Sequence, residues 1–122
     1  MADKKKLLYV DDEVANLNVF RIAFKRRYDV TTAGSAEEGM ELLESEKFDI
    51  VVCDHRMPGM TGVEMLAVVS EKFPDMIRII ISEYINDEII RHAIKSYNLD
   101  GSMGKPWDAT ELISIIENHA KS

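Results

Sequence analysis

Short apolar runs alternate with segments of helical periodicity along this chain, and the alternation limits the folds that it can adopt. Four runs have the length and composition of strands buried on both faces, at residues 7–10, 28–32, 48–53 and 76–81. A weaker run covers residues 100–104. Its two glycines reduce side-chain packing, so we expect this fifth strand to be short and frayed.

The segments between the strands carry helix signals. In the first, apolar residues recur at i, i+3 and i+7, at Leu17, Phe20 and Phe24. In the second, Ser35 is followed three residues later by Glu38, which predicts a capping box. The later helices are predicted to begin after Gly62, at Asn86 or Asp87, and at Asp108. Strand alternating with helix five times predicts an α/β fold, a doubly wound parallel sheet with helices on both faces.

Length and composition exclude several classes of protein. The 122 residues suit one domain, which we assign to residues 1–122. The hydrophobic share of 46% argues against intrinsic disorder, and the net charge of -7 disfavours nucleic acid as a partner. No apolar segment approaches the ~20 residues that cross a bilayer, so no membrane partner is expected. The single cysteine, Cys53, cannot form an internal disulfide, which favours a cytoplasmic location.

Polar residues follow four of the five predicted strands. They are Asp11, Asp12 and Glu13 after the first strand, Asp54 after the third, Ser82 after the fourth, and Lys105 after the fifth. Each alone could be a helix cap, a turn residue or a surface charge. Open parallel sheets, however, bind ligands at the carboxyl ends of their strands, so these side chains are expected to converge on one edge.

Crowded carboxylates point to a metal ion. Asp11, Asp12 and Asp54 would repel one another and raise one another's pKa unless a cation neutralises them. Hard oxygen ligands at an edge open to water suit Mg²⁺. Phosphate-loop and dinucleotide-binding motifs match poorly, and Cys53 is interpreted as a core thiol, because strand alternation turns it away from Asp54.

Over nearly its whole length the chain resembles the receiver domain of bacterial two-component response regulators, as a single domain similar to the chemotaxis regulators. The motifs that carry this resemblance are Val10-Asp11-Asp12-Glu13, Asp54 with Met57-Pro58-Gly59-Met60-Thr61-Gly62, Ser82, and Lys105-Pro106. The resemblance implies a flavodoxin-like sheet of strand order 2-1-3-4-5. It also implies a signalling domain with Mg²⁺-dependent self-phosphorylation and self-dephosphorylation, rather than an enzyme.

The resemblance assigns a role to each motif residue. Asp54 would be the phosphoacceptor, and Ser82 and Lys105 would contact the phosphoryl oxygens. The implied Mg²⁺ ligands are Asp11, Asp12, Asp54 and the backbone carbonyl of Arg56. The implied partners are a sensor histidine kinase or a histidine phosphotransfer protein, and a downstream protein target that the sequence does not identify.

Two positions depart from the family pattern. Glu83 replaces the usual small residue after Ser82, and Ser102 replaces a common aromatic switch residue. They leave open a pseudo-receiver that binds partners without phosphorylation. A third hypothesis is an aspartate-nucleophile phosphatase, but such hydrolases carry the nucleophile after the first strand.

Overall fold

Five parallel strands alternate with five helices in the computed structural model, which describes residues 4–83 and 87–120. The strands are β1 (Lys6–Val10), β2 (Asp29–Ala33), β3 (Ile50–Asp54), β4 (Ile77–Ser82) and β5 (Gly101–Gly104). The helices are α1 (Val14–Phe24), α2 (Ala36–Ser45), α3 (Gly62–Lys72), α4 (Glu88–Ser96) and α5 (Ala109–Ala120). The predicted alternation is confirmed, with boundaries displaced by one or two residues.

The strands form one sheet in the order β2-β1-β3-β4-β5, which confirms the expected flavodoxin-like fold. Val10 pairs with Cys53 across β1 and β3, and Ser82 pairs with Gly104 across β4 and β5. This register brings the residues at and just after the strand ends to one edge of the sheet. Asp11 therefore lies beside Asp54.

Strand alternation divides the buried side chains between two cores. One core contains Leu8, Val10, Cys53 and Ile80 with residues of α2, α3 and α4. The other contains strand residues of the opposite parity with residues of α1 and α5. Cys53 is fully buried, and burial raises the pKa of its thiol, as a core residue requires. Both faces of the sheet are covered, which explains why the inner strands β1, β3 and β4 are nearly continuous apolar runs, whereas the edge strands β2 and β5 are only partly buried.

The glycine at the start of β5 has a packing role that the sequence did not predict. A Cβ at Gly101 would lie 2.8 Å from Cγ2 of Ile115 on α5. The glycine thus allows α5 to approach the sheet closely. β5 is short, as expected, and pairs with β4 along its four residues.

Side-chain caps fix several helix starts. Asp108 accepts hydrogen bonds from the backbone of Thr110 and Glu111, as predicted for α5. Ser35 accepts from the amide of Glu38, but the Glu38 carboxylate accepts from Gly34 instead of Ser35, so the predicted box is only half formed. Asp87 caps α4, whereas the alternative start, Asn86, lies outside the described residues.

Arg78 interrupts the apolar run of β4. Its guanidinium is buried and donates to four backbone carbonyls, those of Phe73, Pro74, Met76 and Asn98. Arg78 thereby joins the α3–β4 connection to the α4–β5 connection. Within residues 4–83 and 87–120, no helix has the length and hydropathy to cross a membrane.

Candidate functional site

Three carboxylates meet at the carboxyl edge of the sheet. Asp54 is the last residue of β3, and Asp11 and Asp12 follow β1. One oxygen from each lies within 4.8 Å of the corresponding oxygens of the other two. Asp11 is 0% exposed and Asp54 3%, whereas Asp12 is open to solvent. The predicted acidic cluster is therefore formed, and its Asp12 side faces water.

Protein donors hold both oxygens of the Asp11 carboxylate. Oδ1 accepts a hydrogen bond of 3.0 Å from the amide of Glu13. Oδ2 accepts one of 2.7 Å from the hydroxyl of Tyr9 and one of 3.2 Å from Nδ2 of Asn16. A buried carboxylate needs such donors, because its charge is otherwise costly to remove from water. Asp11 thus accepts a local hydrogen bond from the backbone of Glu13 and also belongs to the acidic cluster.

Lys105 supplies a positive charge opposite the carboxylates. Its Nζ lies 3.0 Å from Oδ1 of Asp54 and 3.8 Å from Oδ2 of Asp11. The lysine follows β5 directly, and the Lys105–Pro106 peptide bond is cis. Burial lowers the pKa of Lys105, but the contacts with Asp54 and the charge of Asp11 outweigh it, and the net shift is upward. The ammonium is therefore fully charged at neutral pH.

The Asp54 carboxyl holds its proton more tightly than an ordinary aspartate does. Burial is the largest cause and, despite the opposing effect of Lys105, the pKa of Asp54 rises from 3.8 to about 6. Repulsion from Asp11 and Asp12 adds to the rise but is a smaller cause. The sequence had suggested repulsion as the reason for raised pKa values. For Asp54 the structure assigns the main effect to loss of solvent.

Two other predicted residues lie on the segments next to Asp54, Ser82 at the end of the neighbouring strand β4 and Arg56 just after β3. Ser82 is buried at the end of β4 and lines a cleft of about 450 Å³ together with His55, Arg56 and Asp87. Arg56 is exposed in the segment between β3 and α3. Glu83 is also exposed, and the ion pairs of Lys105 within the described chain are with Asp11 and Asp54.

The first turn of α3 packs directly on the end of β3. A Cβ on Gly62 would lie 2.3 Å from the carbonyl oxygen of Asp54, so only glycine fits. The amide of Gly62 donates to the carbonyl of His55, and Thr61 and Glu64 form a capping box at this helix start. The Met57–Gly62 motif therefore determines where the backbone of Asp54 lies.

The donor set fits Mg²⁺. The three clustered side chains offer hard carboxylate oxygens, and the exposed position of Asp12 leaves room for the waters that Mg²⁺ retains. Sequence reasoning missed two members of this site, Tyr9 and Asn16. The signal for Tyr9 was its i, i+2 spacing to Asp11, which puts both side chains on one face of the chain.

Comparison with known proteins agrees with this geometry. The family model for the response regulator receiver domain matches residues 7–117. The hydrogenase transcriptional regulatory protein HoxA of Cupriavidus necator is 36% identical over 117 residues, which are 95% of this chain and 24% of that protein. A protein of the same name from Bradyrhizobium diazoefficiens is 32% identical, covering 96% of this chain and 24% of that protein. A CheY-like receiver domain from Methanospirillum hungatei superimposes with a TM-score of 0.89 at 26% identity, covering 98% of this chain and 96% of that one.

The strand order, the acidic cluster and the family match define a signalling module with an acidic pocket at the edge of its sheet. This chain belongs to the receiver domain family of two-component response regulators. It spans about a quarter of the length of the two HoxA proteins.

Proposed function

We propose that this receiver accepts a phosphoryl group on Asp54. The observation that carries the proposal is the environment of that side chain. Its carboxylate is buried at the end of β3, 3.0 Å from the Lys105 ammonium and within 4.8 Å of two further carboxylates. The Asp54 carboxylate is thus surrounded by two other carboxylates and has the Lys105 ammonium beside it. This arrangement suits phosphoryl transfer, because the negative charge of the transferred group must be neutralised.

The transfer step is in-line substitution at phosphorus. A carboxylate oxygen of Asp54 forms the new P–O bond while the P–N bond to a phosphohistidine of the donor breaks. The leaving imidazole takes up a proton, and the product is an acyl phosphate. Lys105 is close enough to Asp54 to stabilise charge on the transferred group, and Ser82 brings a hydroxyl donor to the neighbouring strand end.

Magnesium completes the proposed site. We assign its ligands to Asp11, Asp12, Asp54 and the backbone carbonyl of Arg56. When bound, Mg²⁺ neutralises the carboxylates and the charge that develops on the phosphoryl oxygens. Because both oxygens of Asp11 already accept hydrogen bonds, we expect Asp12 and Asp54 to bind the ion directly and Asp11 mainly through water.

The proposed phosphodonor is a histidine kinase or a histidine phosphotransfer protein, which α1 would dock. Val14, Val19 and Ile22 are 69%, 57% and 68% exposed on this helix, which is unusual for large apolar residues. A cleft of about 680 Å³ joins Val19 to Lys105 and Trp107. A partner seated on α1 would thus reach the edge of the site. Such a donor acquires its phosphoryl group from ATP, which favours transfer to this receiver in the cytoplasm.

The remaining assignments concern the whole protein. We propose residues 1–122 as one signalling domain, without turnover of an external substrate, whose phosphorylation alters its surface for a downstream protein. The names of the two HoxA relatives suggest that this output is transcriptional control.

The test is incubation with Mg²⁺ and acetyl phosphate, followed by intact mass measurement. The expected result is a gain of one phosphoryl group that is labile to base. The gain should disappear in EDTA and in Asp54→Asn. Absence of labelling in the folded wild type would instead support the pseudo-receiver, and rapid release of phosphate without a stable adduct would support the phosphatase.

A further inference from the structure

A buried tyrosine contacts the acidic cluster from inside the core. Tyr9 lies on β1 and is fully buried, and its hydroxyl donates a hydrogen bond of 2.7 Å to Oδ2 of Asp11. Within the described residues, this bond is the shortest of the three hydrogen bonds to that carboxylate. No role in the chemistry proposed above uses it.

Aromatic packing determines where the Tyr9 hydroxyl lies. The ring stacks on Phe20 of α1 with a centroid distance of 3.9 Å and an interplanar angle of 5°. Phe20 in turn contacts Phe24 at 4.5 Å and Trp107 at 5.4 Å. Since the Tyr9 ring stacks on Phe20, and Phe20 is itself packed against two further aromatic rings, this packing fixes the position of the hydroxyl.

The hydrogen bonds to Asp11 have a directional consequence. Glu13 anchors Oδ1, while Tyr9 and Asn16 anchor Oδ2, so the carboxylate cannot rotate freely about its Cβ–Cγ bond. Asn16 is partly exposed and its bond is longer, at 3.2 Å. Tyr9 is therefore the main restraint on the Oδ2 side. Ligand carboxylates depend on such outer hydrogen bonds for their orientation and charge.

We propose that Tyr9 is a positioning residue for the metal site. It holds the Asp11 carboxylate oriented toward Asp12 and Asp54, so that the cluster is prepared for a divalent cation before one arrives. The inference rests on the proposed function, because that function assigns Mg²⁺ to these carboxylates.

Tyr9→Phe removes the donor and keeps the stacked ring. Tyr28→Phe is the matched control, because Tyr28 is also buried in this core, and its hydroxyl donates to Glu117, outside the acidic cluster. Mg²⁺ titrations of the wild type and both variants, followed by backbone NMR, measure affinity in the folded protein. We expect the Kd for Mg²⁺ to rise about tenfold in Tyr9→Phe and to change less than about twofold in Tyr28→Phe.

A second readout separates positioning from general stability. The amide of Glu13 donates to Oδ1 of Asp11, so its proton shift without metal should move in Tyr9→Phe and stay in place in Tyr28→Phe. A merely structural role would lower the thermal midpoint of Tyr9→Phe and leave both the Kd and this resonance unchanged. That result would overturn the inference.

The outcomes also separate this inference from the proposed function. If the wild type binds Mg²⁺ and Tyr9→Phe binds it equally well, the role of Tyr9 is wrong and the proposed function stands. If the folded wild type does not bind Mg²⁺, the metal assignment itself fails, and the role of Tyr9 fails with it. If both tyrosine variants lose affinity alike, the effect belongs to the core as a whole and the inference is also overturned.

Discussion

Asp54 shows how this receiver keeps a carboxylate in a buried position, which is unfavourable for its charge. Burial raises its pKa to about 6, although Lys105 stands 3.0 Å away. Between the unfolded value of 3.8 and this folded value, the native state binds more protons than the unfolded state does. The contribution of Asp54 to stability therefore falls as the pH rises from about 4 to 6, and the ionised side chain destabilises the metal-free fold at neutral pH.

Asp54→Asn should consequently stabilise the metal-free protein. The substitution keeps the shape and removes the charge, so we expect a gain of about 1 kcal/mol at pH 7.5 and almost none at pH 4. Such a gain corresponds to a rise in the thermal midpoint of roughly 3 to 5 °C for a domain of this size. Thermal unfolding in EDTA at the two pH values measures it. A lower midpoint for the variant at pH 7.5 would contradict the burial account.

Glu83 lies in the same cleft as Lys105, but it is exposed and forms no ion pair with that lysine. The Glu83 carboxylate should therefore slow phosphorylation of Asp54 by long-range repulsion of the incoming phosphoryl group. Glu83→Ala should speed phosphorylation by acetyl phosphate at low salt, and the gain should shrink once the Debye length falls well below ~10 Å. Glu41→Ala, which removes an exposed charge from α2, is the control. An unchanged rate at every salt concentration would argue against this effect.

At the scale of elements, the start of α3 packs directly against the backbone at the end of β3. Gly62→Ala places a methyl group 2.3 Å from the carbonyl oxygen of Asp54, with backbone rather than a flexible side chain in the way. We expect a loss of about 2 to 3 kcal/mol in the free energy of unfolding, together with slower phosphorylation, because Asp54 must shift.

Gly34→Ala provides the comparison, since its Cβ would meet only Glu38 at an ordinary 3.6 Å. Its unfolding free energy should change by less than about 0.5 kcal/mol. Urea unfolding of both variants checks the pair. Equal stability of the two would show that the contact between Gly62 and Asp54 is readily relaxed.

Helix α1 has one buried apolar face and one exposed apolar face. Phe20 and Phe24 are buried, whereas Val19 and Ile22 are exposed. Val19→Asp should slow transfer from the cognate kinase by about tenfold, equivalent to ~1.4 kcal/mol at an interface. Labelling by acetyl phosphate should be unchanged.

Ile89→Asp makes the same substitution at a similarly exposed residue, 56% accessible on α4. It should leave transfer from the kinase intact if docking is confined to α1. Radiolabel transfer from the kinase, measured beside intact mass after acetyl phosphate, separates the two activities. Equal loss of both activities in Val19→Asp would mean that Val19 serves the fold.

At the scale of the whole molecule, the predictable features are those with a strong local signal. Apolar runs and helix caps predicted the alternation of elements, and residues at strand ends predicted that Asp11, Asp54 and Lys105 meet. Gly101 and Tyr9 were not predicted, because their roles depend on which side chain of another element lies opposite. Periodicity in the sequence does not reveal which side chains of two different elements come into contact.

The same limit applies to the electrostatics. The acidic motif predicted crowding, but only the fold reveals that Asp54 is almost fully buried while Asp12 is open to water. The roles of Ser82 and of the Arg56 carbonyl stay predictions.

The central claim, that Asp54 is the phosphoacceptor, is tested most directly by locating the acyl phosphate. Borohydride reduces an aspartyl phosphate to homoserine, so treatment after phosphorylation, followed by peptide mass spectrometry, identifies the modified residue. If Asp54 is the phosphoacceptor, Asp54 alone should be converted, and only when Mg²⁺ is present. Conversion of Asp11 or Asp12 instead, or no conversion in a protein that binds Mg²⁺ and has been exposed to acetyl phosphate, would contradict it.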